Sequence, residues 1–178
     1  MTKRPFLITA MAVATLLYSC GKDNDPFLIT KTHVGQLKEH AQESSLDSLY
    51  SNDSIVKEDA KTFYGTNNTQ YKIYEKGGKA LLELTVDTSK TVVNVNILDD
   101  RFQTEKKLSK SSTFKEIKDH YTISSISNTM NNVVVFVDDL NAYFTISKDG
   151  LNLPMSGDIE AKDIPDTAKI KYFMMGWQ

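Results

Sequence analysis

The chain has 178 residues, 40% of them hydrophobic and 25% charged, with 21 basic against 23 acidic side chains and a single cysteine. That apolar share excludes full disorder and suffices for a packed core, with one domain as the default at this length. One cysteine excludes an internal disulfide and any Cys-based metal cluster.

Reading from the N-terminus, Lys3-Arg4 precede 13 mostly apolar residues, Phe6 to Tyr18, that stop just before Cys20. A membrane-spanning helix wants about 20 such residues, so the run reads as a cleavable signal. Its end, Leu17-Tyr18-Ser19-Cys20, resembles the lipobox of bacterial lipoproteins: a leucine, a tolerant position, a small residue, then cysteine. The resemblance implies removal of residues 1–19, diacylglyceryl transfer to the Cys20 sulfur and acylation of the new amino terminus, with palmitate-like chains as the anchor. Two or more such chains make release from a bilayer slow, because each buried methylene contributes about 0.8 kcal/mol. Residues 20–26 then read as the acylated cysteine and a polar, helix-poor tether, Gly21-Lys22-Asp23-Asn24-Asp25-Pro26. The implied location is the cell envelope, as an outer-membrane lipoprotein on the periplasmic face or the cell surface, and the first implied partner is the membrane itself.

Loss of residues 1–19 leaves 19 basic against 23 acidic side chains, a balance of −4, and Arg101 as the remaining arginine. Without a basic stripe or a cluster of guanidinium forks, nucleic acid is not an expected partner.

Residues 27–178 read as one α+β domain. Lys31 to Ser44 lacks periodicity and reads as irregular; Ser45 to Tyr50 reads as a short helix capped by Ser44 or Ser45. Tyr71 to Tyr74 and Ala80 to Val86 alternate on either side of Gly77-Gly78, a hairpin signal, and Thr91 to Leu98 reads as a strand with Val93, Val95 and Ile97 on one face. Ser112 or Thr113 caps a second helix in which Phe114, Ile117 and Tyr121 share a face. Further strands are expected over Tyr121 to Ile126, over Val133 to Val137 with Ala142 to Ile146 as a hairpin, and over Asp158 to Ile164 and Ala168 to Met174 on either side of Pro165-Asp166. Consecutive hairpins argue for an antiparallel sheet with the short helices on one face.

Sliding the chain by 68 residues sets Ile29 on Ile97, Val34 on Phe102, Leu46 on Phe114, Leu49 on Ile117 and Ile55 on Ile123. This suggests two strand-helix-hairpin units, 27–90 and 91–150, with closing strands over 157–176. Ile97 to Thr104, Ser112 to Ile117 and Ile164 to Ile170 together resemble the RpoE-regulated lipoprotein family. That likeness covers roughly residues 95–175 and implies an α+β fold without an established activity. Lys107 and Ser111 stand where that family tends to have glycine.

No catalytic signature stands out. His33, His40 and His120 show no metal-ligand spacing, and no cofactor is implied. Asp99-Asp100 and Asp138-Asp139 are paired acids at strand ends, where Asp serves turns. No Gly-x-Ser-x-Gly elbow occurs, and Gly77-Gly78 opens no helix that would hold a phosphate. The aromatic terminus, with Tyr172, Phe173 and Trp177, is either a strand docked in the core or a surface for a protein partner. The expectation is a non-enzymatic binding or envelope-maintenance module. The alternatives are a small envelope hydrolase or inhibitor using Asp99, Asp100 and Arg101, and an accessory subunit of an outer-membrane complex docking through the aromatic terminus.

Overall fold

The computed structural model describes residues 25–58 and 67–177; the signal segment, Cys20 and most of the tether lie outside them. Among the described residues, two short α-helices and twelve strands form an α+β fold. A small sheet joins β1 (Leu28–Ile29), β2 (His33–Val34), β3 (Leu37–Lys38) and β8 (Gln103–Thr104) in the order β3-β2-β1-β8. The large sheet joins β4 (Ser54–Glu58), β5 (Thr69–Tyr74), β6 (Ala80–Val86), β7 (Val92–Ile97), β9 (Ser125–Asn128), β10 (Asn132–Val137), β11 (Ala142–Ser147) and β12 (Ile170–Gly176). Its order is β4-β5-β6-β7-β12-β11-β10-β9, antiparallel throughout.

The hairpins form where the sequence signals them. Gly77 and Gly78 take φ of 119° and 91° between β5 and β6, a region that L side chains rarely enter. Asn141, in the left-handed conformation, closes the turn from a 3-10 helix at Asp138–Leu140 into β11. Helix α1 (Leu46–Leu49) follows a 3-10 turn at Glu43–Ser45, and neither Ser44 nor Ser45 caps it. The Ser45 hydroxyl instead donates to the Gln42 carbonyl, 2.7 Å away. Helix α2 (Phe114–His120) begins with a capping box between Thr113 and Glu116, and the Thr113 N–H donates to the Glu116 carboxylate at 2.7 Å.

Leu46 of α1 and Phe114 and Ile117 of α2 are buried in one core with the inward residues of the sheet, among them Ile73, Leu82, Leu84, Val95, Ile97, Val135 and Phe144. β-bulges refine which side chains enter it. Thr85 pairs with Asn94 but Val86 pairs with Val92, so Val93 is the extra residue and Val92 takes the core place that simple alternation gives to Val93. A second bulge, where Ile73 pairs with Leu82 and Tyr74 with Ala80, leaves Leu81 unpaired and buries it beside Leu82.

Several expected elements differ. Lys31 to Ser44 is ordered, contributing β2 and β3. Asp158 to Ile164 is not a strand: Glu160 caps a 3-10 turn at Ala161–Asp163, its N–H donating to the Asp163 carboxylate at 2.9 Å, while Ile159 and Ile164 are buried. The strand expected over Tyr121 to Ile126 starts four residues later, because Tyr121 ends α2 with its N–H on the Ile117 carbonyl.

The element that recurs is a short helix followed by four antiparallel strands, over 46–97 and 114–176, rather than units of 27–90 and 91–150. The two runs meet at β7 and β12, where Ile97 faces Phe173 and Val95 faces Met175, a self-consistent two-fold pairing about Asn96 and Met174. Thr91, just before β7, bridges to Gln42 ahead of α1; Lys169, just before β12, bridges to Thr113 ahead of α2. Each of these central strands also carries a bulge at its second residue, Val93 and Lys171. The helices match at an offset of 68 and the central strands at 78, so no single slide of the sequence aligns both. Ile29 and Ile97, paired by the slide, belong to different sheets.

Candidate functional site

The sequence-predicted residues do not converge on one place. Of the two readings of the aromatic terminus, the docked strand is the one seen for Phe173 (0% exposed) and Trp177 (2%), which are in the core and form no partner surface; Tyr172, 43% exposed, is the member that reaches solvent. The reason is topological. β12 is a central strand between β7 and β11, so Phe173 packs with Phe144, ring centroids 4.6 Å apart, and the Trp177 indole N–H donates to the Lys31 carbonyl at 3.2 Å.

Asp99 and Arg101 form a built cluster, but a closed one. Asp99 is buried; its Oδ1 accepts from the Arg101 N–H at 2.9 Å, and its Oδ2 accepts from Arg101 Nη2 at 2.7 Å and lies 2.9 Å from Lys79 Nζ. The other guanidinium edge donates to both Glu75 oxygens at 3.0 and 2.9 Å, and the guanidinium carbon lies 4.4 Å from the Phe27 ring centroid. Burial raises the Asp99 pKa, but the bonds from Arg101 and Lys79 outweigh it and hold the carboxyl down at about 2. An acid with both oxygens occupied and so low a pKa is neither a proton donor at neutral pH nor free to meet a substrate. The cluster ties the β5–β6 turn to the end of β7 and to the arm at Phe27. Asp100, exposed beside it, takes no part.

His33 and His40 each sit in a local turn. The His33 ring sits 2.8 Å from the Thr32 hydroxyl in a local turn, and His40 occupies a left-handed turn with φ of 57°. Among the described residues no three His, Cys, Asp or Glu side chains gather as metal ligands. Asp138 and Asp139 start the 3-10 turn between β10 and β11, and the Asp138 N–H donates to the Ser124 hydroxyl.

Sequence reading overlooked a cavity of about 210 Å³ between the N-terminal arm, the end of α1 and the β5–β6 turn. Phe27, Leu49, Leu81 and Phe102 supply apolar wall, and Phe27 and Phe102 meet edge-to-face at 5.1 Å. Leu81 reaches this wall through the bulge described above. Tyr50 lines the cavity; it is 4% exposed, and its buried hydroxyl has no hydrogen-bond partner among the described residues. Burial, reinforced by the charge of Asp53, pushes its ionisation well above the ordinary phenol range, so it is a neutral hydroxyl at any physiological pH. Two carboxylates also border the space. Glu75 is saturated by Arg101, whereas the half-buried Asp53 has no ion-pair partner among the described residues. A larger groove of about 450 Å³ beside β1–β3, lined by Thr30, His33 and Gln36 among others, lacks such an orphaned buried group.

The nearest sequence signal for this site was the short helix itself, which ends at Tyr50. Nothing in spacing says that Tyr50 would face residues 26 and 102.

The architecture defines a class: an α+β protein with a central antiparallel sheet built from two runs of helix and four strands. A solved structure, the uncharacterized protein yfeY from Escherichia coli, is similar over 83% of this chain and 98% of its own, with a TM-score of 0.55 and 13% identical residues. At that identity the likeness is one of fold. No family model and no curated protein matches the sequence. None of the described helices is long and apolar enough to cross a membrane.

Proposed function

We propose that this chain is a lipid-anchored lipoprotein of the cell envelope, held at the outer membrane through Cys20, and that its α+β domain is a non-enzymatic binding module. The observation that carries the anchor is Leu17-Tyr18-Ser19-Cys20 at the end of a 13-residue apolar run, with the one cysteine of the chain at the position where acylation would occur. Membership of the RpoE-regulated lipoprotein family, read from Ile97 to Ile117 and Ile164 to Ile170, belongs to the same proposal. The binding role is supported by the cavity at Tyr50, whose wall starts at Pro26, six residues after Cys20. A lipid on Cys20 would therefore leave this face of the domain next to the membrane, within the roughly 20 Å that six extended residues can span.

The hydrolase or inhibitor alternative loses its residues, since Asp99 and Arg101 satisfy one another and Glu75. The accessory-subunit alternative keeps Tyr172 but not Phe173 or Trp177.

Growth with an alkyne-bearing palmitate analogue tests the anchor. The wild-type chain takes up label and sediments with membranes, and Cys20→Ser takes up none and is released by osmotic shock. Equal label in both forms would refute the anchor.

A further inference from the structure

Among the described residues the two most exposed large apolar side chains, Met130 and Met155, are each 69% exposed and stand on adjoining loops. Lys148 joins these loops. Buried itself, it donates from Nζ to the Thr129 carbonyl at 2.6 Å and to the Pro154 carbonyl at 2.5 Å, the groups directly before the two methionines. Asn128 adds a second tie, its Nδ2 donating to the Gly157 carbonyl at 2.8 Å. Residues 127–132 and 151–157 carry no charge, and Leu151 and Leu153 pack the second loop against the core. A clamped, uncharged tip that holds two methionines out of the core is suited to meeting an apolar phase. We infer that this tip enters the boundary between headgroups and acyl chains of the bilayer to which Cys20 holds the chain, an inference that rests on the anchor proposed above. The tether selects the bilayer as the occupant. β7, which leaves the sheet at Ile97, and β11, which leaves it at Ser147, run in the same direction because both are antiparallel to β12, and β10 enters beside β11 at Asn132. The ends of β7 and β11 and the β9–β10 turn therefore share one end of the sheet. The N-terminal arm arrives there as well: the Phe27 carbonyl accepts from the Gln103 N–H at 3.0 Å, and its ring meets Phe102 just past β7. Three strand spacings, about 15 Å, separate β7 from β10. The six residues from Cys20 to Pro26 span up to about 20 Å, so an acylated Cys20 and both methionines can reach one bilayer surface. Methionine's unbranched, polarizable chain suits that irregular boundary. Exposed Asp149 and Asp158 flank the second loop and keep the insertion shallow.

Single-site fluorescence tests the inference. The full chain, acylated at Cys20, is reconstituted in vesicles of phosphatidylethanolamine with phosphatidylglycerol. An environment-sensitive NBD label is placed on Met130→Cys, on Met155→Cys or, at the opposite end of the sheet, on Thr88→Cys in the β6–β7 turn. Acylation of Cys20 leaves the introduced thiol as the free one. Expected at 130 and 155 are blue-shifted emission and at least twofold stronger quenching by nitroxide-bearing acyl chains than at 88. Equal quenching at all three positions overturns the inference and leaves the anchor standing. A blue shift without nitroxide quenching means that the loops lie against protein, a second copy or another chain, and overturns it too. Without a label, hydrogen exchange over 151–157 should be several-fold slower in the acylated chain on vesicles than in Cys20→Ser in buffer. Met130→Asp with Met155→Asp should remove most of that slowing at an unchanged melting temperature, since both side chains are exposed. Undiminished slowing in this double variant overturns the inference. Absence of acyl mass on Cys20 overturns the anchor and the inference together.

Discussion

The two halves of the large sheet share a plan and differ in what holds them. In the first run, charge does much of the fastening. Glu43, just ahead of α1, accepts from the Tyr71 hydroxyl on β5 and lies 3.1 Å from Lys90 and 3.4 Å from Lys57 on β4. Lys72 pairs with Glu58 and Glu83 across three strands, and Asp99 gathers Lys79 and Arg101. In the second run, Tyr121 to Val137 carries no charged residue, and no described ion pair involves β9 to β12. Its helix carries a capping box and the Lys115–Asp119 and Lys118–Asp166 pairs, while its strands are held by apolar packing, including Phe136 stacked on Tyr143 at 5.9 Å. One connectivity is thus stabilised by two kinds of force, and they respond differently to acid and salt.

Truncations at the seam should have the largest effect. Phe173→Ala empties a fully buried site between β7 and β11, and about 3–5 kcal/mol of unfolding free energy should be lost in urea titration. An effect below about 1 kcal/mol would mean that the halves do not depend on their common pair of strands. Asp99→Ala should cost about 3 kcal/mol, since it leaves Arg101 and Lys79 without their shared buried acid. High salt should lessen that difference, whereas it should leave the Phe173→Ala effect unchanged.

Acid separates the halves more directly. The hydrogen bond from Tyr71, followed by contact with Lys90, lowers the Glu43 pKa from 4.5 to about 2, and Asp99 falls from 3.8 to a similar value. Groups with depressed folded-state pKa values stabilise fully above the unfolded values and lose that contribution as pH falls through the folded ones. The first run should therefore loosen between about pH 4.5 and 2, and hydrogen exchange at pH 3 should rise more in 69–97 than in 132–175. Equal protection in both segments would remove the distinction. Smaller still is the cap of α2: Thr113→Ala should cost about 1 kcal/mol, with the loss independent of salt. Tyr172→Ala, on the exposed side of β12, should change stability by less than about 0.5 kcal/mol.

The hairpins at Gly77-Gly78 and Asp138 to Asn141, the β7 strand and the Thr113-capped helix were legible because each depends on residues within a few positions of one another. The bulges at Leu81, Val93 and Lys171 were not, because a bulge is a property of a strand's register against its neighbour. For the same reason the repeat was readable at the helices, where Leu46 and Phe114 start both runs, and lost at the strands, where loops of unequal length change the offset.

By itself the sequence determined the α+β class and most of the strands of the large sheet, both of which follow from local composition and spacing. Only the tertiary structure decided that the last strand lies at the centre of the sheet. That placement buried Phe173 and Trp177 and chose the docked strand over the partner surface, the two readings that the sequence left open. It was also the fold that closed Asp99 around Arg101 and set Tyr50 and Asp53 against Phe27 and Phe102. Those groups are up to 75 positions apart in the chain, and contacts over such distances are fixed by the pairing of strands and the packing of a common core, which no short run of residues specifies.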